Sequence, residues 1–229
     1  MLRHATIEET QFYNTQLYPL MDSVMKIIQS DKFYLTGGTC LARHYFHHRY
    51  SDDLDFFFLG EKYSREEYEL EFAKIAISLS KNFTSQITIN ADTYKRIMLK
   101  DNNVDLKLEF IYEPYPHIGE LQNHKGNLID TIENVAVNKL TAVQDRKAHK
   151  DFYDLMWLLK ERDFEEMMKL TELKMIPMDY EGTLMMLGGQ AVSGTVLVSD
   201  EIDITPYNDF VKELKHKILD YAKHAKRLF

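Results

Sequence analysis

The 229-residue chain has one cysteine, Cys40, so it can form no internal disulfide and no multi-cysteine zinc site, and a reducing cytoplasm suits it. It has no run of eighteen or more apolar residues, which argues against a membrane-spanning helix. The opening Met1 to Thr6 lacks the apolar stretch and small-residue cleavage site of a secretion signal. Internal repeats and low-complexity segments are missing too, and with them the solenoid reading. Net positive charge is also lacking: 28 basic residues against 36 acidic ones leave −8, a balance that repels a nucleic-acid backbone unless the basic residues are segregated.

Segregation does occur. Residues 210–229 carry Lys212, Lys215, Lys217, Lys223, Lys226 and Arg227 against Glu213 and Asp220, and Arg43, His44, His47, His48 and Arg49 form a second basic cluster. With 45% apolar residues the chain can bury a substantial core, as one domain or two small ones.

Periodicity divides the chain into two halves. From Thr6 to about Ser30, apolar residues from Phe12 to Ile28 recur at three- and four-residue steps and predict an amphipathic helix. Phe33-Tyr34-Leu35 reads as a strand, Gly37-Gly38 as a turn, and Thr39 as the cap of a helix running to about His48. Leu54, Phe56 and Phe58 alternate with Asp53, Asp55 and Phe57, so a strand there has one apolar face and one led by carboxylates. A helix over 64–82 and period-two runs over 84–91, 94–100 and 104–112 follow; links this short imply antiparallel or mixed pairing. Pro114 and Pro116 end the strand region, and helices are expected over 132–149, 151–161, 164–175 and 207–228. Residues 176–205 read as loop-rich. The fold class is α+β, divided as 1–125 and a helical 126–229.

Asp53 and Asp55 are two apart on a strand, so their carboxylates project from one face with Cα atoms about 7 Å apart. Two like charges there repel, and a bound divalent cation would relieve them. Taken alone the pair is only an acidic strand start, and Gly37-Gly38 only a turn. Together they place backbone N–H groups able to hold a phosphate beside carboxylates able to hold a metal. Glu109 stands on the polar face of a later strand with Lys107 and Asp105, and would supply a third carboxylate. Cys40, His44 and His48, four apart, could present three soft ligands, but three without a fourth make an incomplete zinc site. The histidines fit better as part of a basic face.

The stretch Leu35-Thr36-Gly37-Gly38-Thr39-Cys40-Leu41-Ala42-Arg43, continued by Arg49-Tyr50-Ser51-Asp52-Asp53-Leu54-Asp55-Phe56-Phe57, resembles the first motif of the AbiEii/AbiGii-type nucleotidyltransferases. These belong to the DNA-polymerase-β-like superfamily and include toxins of type IV toxin–antitoxin and abortive-infection systems. Asn138-Lys139-Leu140-Thr141-Ala142 with Arg146, followed by Lys150-Asp151-Phe152-Tyr153-Asp154-Leu155, resembles the family's second motif, and Leu106-Lys107-Leu108-Glu109-Phe110 its intervening strand. The departure is Glu109, where aspartate is commoner, and Asp105 stays open as an alternative ligand.

This resemblance implies a nucleotidyltransferase fold over 1–125, with a mixed, mostly antiparallel sheet flanked by helices, then a helical bundle over 126–229. It implies that Gly37, Gly38 and Thr39 hold a nucleoside triphosphate, and that Asp53, Asp55 and Glu109 are catalytic and bind two Mg²⁺ ions. Lys107 and Lys139 would steady phosphates; Asp151 and Asp154 would contact Lys139 or the base, or merely cap their helix. The implied reaction moves a nucleoside monophosphate to an acceptor such as the 3′ end of a tRNA, in a cytoplasmic toxin with an antitoxin encoded nearby and no membrane partner. Nucleotidylation of a protein or small molecule is the alternative, mildly favoured by the −8 charge. A non-catalytic partner-binding module is the other, although such a role needs no three carboxylates on one sheet face.

Overall fold

Alternation along the strands decides how the sheet is buried, because successive side chains point to opposite faces. The computed structural model describes residues 1–176, 178–189 and 192–225. In chain order its elements are β1 (Leu2–His4), α1 (Ile7–Phe12), a π-helical turn (Tyr13–Leu17), α2 (Tyr18–Ile28), β2 (Phe33–Thr36), α3 (Gly37–Cys40) and a second π-helical turn (Leu41–Tyr45). There follow β3 (Asp53–Leu59), α4 (Arg65–Ser80), β4 (Thr84–Asn90), β5 (Tyr94–Asp101), β6 (Val104–Glu113), β7 (Gln122–His124) and β8 (Asn127–Ile129). The remainder comprises α5 (Ile132–Asp145), α6 (His149–Glu161), α7 (Phe164–Leu173), α8 (Tyr180–Gly189), β9 (Val196–Val198) and α9 (Tyr207–Ala225).

Seven strands form one mixed sheet in the order β4-β5-β6-β3-β2-β8-β7. The pairs β3/β6 and β2/β8 are parallel and the others antiparallel, so the α+β arrangement with a mixed, mostly antiparallel sheet expected from the sequence is the one observed. Phe33, Leu35, Leu54, Phe56, Phe58, Leu108 and Phe110 are at most 2% exposed and occupy one face. They pack with Tyr68 and Phe72 of α4, Phe110 lying edge-on to Phe72 at 5.3 Å and stacked on Phe56 at 5.3 Å. The opposite face carries Thr36, Asp53, Asp55, Lys107 and Glu109, over which Val135, Asn138, Lys139 and Ala142 of α5 form a wall.

Local signals explain the helix starts. Thr6 with Glu9, and Ser64 with Glu67, form reciprocal capping boxes, while Thr131 and Asp163 cap α5 and α7 through their side chains. The helix expected to reach His48 stops earlier: its π-helical turn ends at Tyr45, and His47 takes a left-handed φ of +51°. That reversal turns His48 and Arg49 into the interior.

The structure adds elements that periodicity missed. Residues 176–205 contain α8 and β9, and β9 pairs in parallel with β1 at the start of the chain. Three-residue strands such as these offer too few positions to establish an alternation. The β7–β8 hairpin spans residue 125, so the sheet crosses the boundary expected there. Residues 226–228 of the expected last helix lie outside the described residues, as do Lys226 and Arg227 of its basic run.

Phe110→Ala should destabilise the fold by about 3–5 kcal/mol, because the residue is fully buried among three aromatic rings. Urea denaturation followed by circular dichroism would measure this; a loss below about 1 kcal/mol would contradict the packing described.

Candidate active site

Register brings the acidic residues together. Because β3 and β6 run parallel, Asp53 lies opposite Lys107 and Asp55 opposite Glu109. Asp53, Asp55 and Glu109 each offer an oxygen within 4.8 Å of the others. Asp105, the alternative third ligand, is exposed and paired opposite Lys100, four residues back along β6. Lys107 sits between the outer carboxylates, with Nζ 3.1 Å from Asp53 Oδ2 and 3.1 Å from Glu109 Oε2. Lys150 approaches Asp53 at 3.8 Å.

The three carboxylates differ in charge state. Burial works to raise the pKa of Asp53, but Lys150 and Lys107 outweigh it and hold the group below the usual carboxylate range. Burial also opposes ionisation of Glu109, yet hydrogen bonds from Tyr94, Arg96 and Lys107 bring it down to about 2. Among the described residues Asp55 has no such donor. Burial, then the charges of Asp53 and Glu109, push it up to about 7. Three hard oxygen donors within 4.8 Å of one another suit a divalent cation such as Mg²⁺, so the residues present fit the metal that the family resemblance implied.

Both glycines of the turn are required by close approach. Gly37 has φ +70°, and a Cβ there would come 2.5 Å from Asp55 Oδ2. A Cβ on Gly38 would come 1.9 Å from an Arg49 guanidinium nitrogen. Thr39, expected beside the triphosphate, instead turns its buried hydroxyl to the Asp53 carbonyl and to Ser51 Oγ at 2.8 Å. It positions the acidic strand from behind and does not line the cavity over the carboxylates.

Beneath the turn lies a buried ionic cluster. Asp154 is fully buried and accepts from Arg49 Nε at 2.7 Å and Nη2 at 3.0 Å, and from His48 Nε2 at 2.7 Å. Lys139 Nζ bridges Asp154 at 2.7 Å and Asp151 at 2.8 Å, and Arg146 grips Asp151 at 2.7 and 3.1 Å. Burial opposes the charge on Asp154, but Arg49 and Lys139 hold it well below the usual range. Asp151 and Asp154 thus contact Lys139, one of the roles left open, and are not on the cavity wall. Lys139 itself is 6% exposed and is not the ordinary surface lysine of a helix.

The same cluster corrects the expected basic face. Arg49 and His48 are buried against Asp154, and Arg43 pairs with Asp22 at 2.8 Å. Nor do Cys40, His44 and His48 converge as zinc ligands. Cys40 is buried with Sγ 3.9 Å from the Asp130 carbonyl, His44 lies edge-on to His124 at 5.1 Å, and His48 faces Asp154.

A cavity of about 560 Å³ opens over the carboxylates. Gly37, Gly38, Lys139 and Lys150 lie on its wall, as do Phe57, Ile111 and Val135, which offer an apolar surface. Tyr94 and Arg96 also line it and were missed from the sequence. The period-two run over 94–100 held the available signal, since it puts Tyr94 and Arg96 on the face opposite Ile97 and Leu99.

Comparison with known proteins bears on the family and the fold. Residues 20–229 match the family model described as nucleotidyl transferase AbiEii toxin, type IV TA system. An uncharacterized protein of Aquifex aeolicus (strain VF5) is 30% identical over 217 residues, covering 89% of this chain and 95% of its own. Among solved structures, the nucleotidyltransferase toxin MenT4 of Mycobacterium tuberculosis is similar with TM-score 0.59 and 12% identity, covering 89% of this chain and 83% of its own. JHP933 of Helicobacter pylori is similar with TM-score 0.55 and 24% identity, covering 93% of this chain and 95% of its own. At these identities the two structures attest the fold.

The state of Asp55 predicts a pH dependence of stability. Folded protein keeps the proton up to about 7, whereas an unfolded aspartate loses it near pH 4. Below that range the group makes no difference; as pH rises through it, the metal-free protein loses stability. Asp55→Asn should therefore melt higher than wild type at pH 8 without metal, with the gap closing towards pH 4. Thermal denaturation in chelator across that range checks this, and a gap independent of pH would contradict it.

Proposed function

The chain belongs to the family of AbiEii nucleotidyl transferase toxins of type IV toxin–antitoxin systems, and on that premise we propose that it is an Mg²⁺-dependent enzyme moving a nucleoside monophosphate from an NTP to the 3′ hydroxyl of an RNA, a tRNA end foremost. One observation carries the reading: Asp53, Asp55 and Glu109 converge in a cavity that begins at the Gly37-Gly38 turn. Phosphoryl chemistry needs that conjunction of anion-binding backbone and hard metal ligands.

In this reading the acceptor oxygen forms a bond to the α-phosphorus, the bond to the β-phosphate oxygen breaks, and pyrophosphate leaves while the hydroxyl proton passes to water. Asp53, Asp55 and Glu109 would hold the divalent ions, which would supply Lewis acidity when bound. The Gly37 and Gly38 backbone lets the triphosphate approach closely, and Lys150 and Lys107 offset its charge. Lys139, its ammonium fixed between Asp151 and Asp154, presents a positioned cation at the wall. Asp151 and Asp154 then act through Lys139 and Arg49. Phe57, Ile111 and Val135 offer the nucleobase an apolar surface.

The partner implied by the family is an antitoxin that restrains this activity in the cytoplasm. Among the described residues no helix is long and apolar enough to cross a membrane. One finding favours a protein or small-molecule acceptor as the second reading: His48 and Arg49, expected to face RNA, are buried, and the chain carries −8.

Equilibrium binding of each NTP, with and without Mg²⁺, tests the site in wild type and in Asp53→Asn/Asp55→Asn. Binding should depend on the metal and weaken at least about tenfold in the double variant, or roughly 1.4 kcal/mol. Equal binding by the two proteins would remove the carboxylates from the nucleotide site. Incubating wild type with labelled NTPs and either total RNA or total protein then separates the two acceptors.

A further inference from the structure

Strand β5 aims two side chains at a single oxygen of Glu109. Arg96 donates to Glu109 Oε1 from Nε at 3.0 Å and from Nη2 at 2.7 Å, and Tyr94 donates its hydroxyl to the same oxygen. Arg96 Nη2 also donates to the Tyr94 hydroxyl at 2.5 Å, closing a triangle. Glu109 Oε2 is left to Lys107 at 3.1 Å. Register produces this arrangement, since Arg96 lies directly opposite Glu109 across the β5/β6 pair.

Arg96 has a further edge. Its Nη1 donates to nothing among the described residues, and the side chain is 34% exposed at the cavity wall. The strand order β5-β6-β3-β2 puts Arg96 at the end of the site remote from Gly37 and Gly38, with the carboxylates between them.

We propose that Tyr94 and Arg96 form the acceptor side of the site: they are positioning residues for Glu109, and the unused edge of Arg96 receives a phosphate of the acceptor strand. The assignment rests on the transferase reading above. In-line displacement sets the attacking and leaving oxygens on opposite sides of the phosphorus. With the triphosphate at the Gly37-Gly38 end, the attacking hydroxyl must enter over β5 and β6. Glutamate has one more rotatable bond than aspartate, so at this position it needs to be locked to serve as a ligand of fixed geometry. Lys107, a point charge on a flexible stem, does not fix orientation; the planar guanidinium with the Tyr94 hydroxyl does. A guanidinium edge with free N–H groups is also the form in which proteins grip phosphate oxygens.

Two sets of measurements on the full chain test this. Mn²⁺ titration followed by electron paramagnetic resonance compares wild type with Tyr94→Phe and Arg96→Lys, both of which preserve charge. Each should weaken one Mn²⁺ site about tenfold, the worth of a hydrogen bond to a charged group. Steady-state transfer to RNA compares wild type with Arg96→Gln and Arg96→Lys. Arg96→Gln should raise the RNA KM about tenfold above that of Arg96→Lys, with the NTP KM alike in the two variants, and lower the salt slope of RNA binding by about 0.7, the share of one single-strand phosphate. Arg96→Lys should keep the salt slope while losing Mn²⁺ affinity, a split that general loosening of the fold does not produce.

Unchanged Mn²⁺ affinity in both charge-preserving variants overturns the positioning role. An unchanged RNA KM and salt slope in Arg96→Gln overturns the phosphate contact. If wild type labels no RNA at all, the RNA reading and the phosphate contact fail together, and the Mn²⁺ titration alone decides the positioning of Glu109.

Discussion

Asp154 is a fully buried carboxylate on which three cationic or hydrogen-bonding side chains converge from separate parts of the chain. His48 and Arg49 come from the segment leading into β3, Lys139 from α5, and Asp154 itself from α6. Desolvating these groups is expensive, and a buried pair of this kind commonly stabilises a fold less than apolar residues of the same shape would. Its effect here is geometric. Once Arg49 is drawn onto Asp154, Gly38 must lack a side chain, the turn packs against the guanidinium, and β3 starts with Asp53 at the cavity edge. The same carboxylate holds Lys139 at the wall, with Asp151 and Arg146 completing the set.

Against this satisfied cluster stands an unsatisfied one. Asp53 and Glu109 have cations close by, whereas Asp55, half-buried beside them, has no donor of its own among the described residues. A fold selected only for stability would place an amide or an apolar residue there. Retaining three carboxylates on adjacent parallel strands makes sense where a divalent cation completes the charge balance. In the proposed function the first cluster supports the site and the second does its work. Lys139, Arg49 and Arg146 bind both carboxylates of the Asp151–Asp154 group, whereas Lys107, Lys150 and Arg96 reach only Asp53 and Glu109 of the other and, among the described residues, leave Asp55 without an ion pair.

Much of this was legible in the sequence because its signals are local. Period-two alternation over 53–58 and 104–112 reveals which face carries carboxylates. The Gly-Gly turn before an Asp-x-Asp strand, with Lys139 and the Asp151/Asp154 pair downstream, carried the resemblance to the family. Three-residue strands were not legible, since β1, β7, β8 and β9 are defined by their partners and have no pattern of their own. The basic face at 43–49 was misread for a related reason. Charge along the chain does not say which side a residue faces, and a left-handed turn at His47 sends the next two residues inward.

Alternation put Asp53 and Asp55 on one strand face, and the resemblance of short motifs pointed to a nucleotidyltransferase chain, because both signals act within a few residues. Which carboxylate joins them was decided only by tertiary structure. The parallel register of β3 on β6 puts Glu109, and not Asp105, opposite Asp55. Tertiary structure also sent Arg49 and His48 to Asp154 and set Arg96 against Glu109, because contacts between residues far apart in sequence depend on strand order and register.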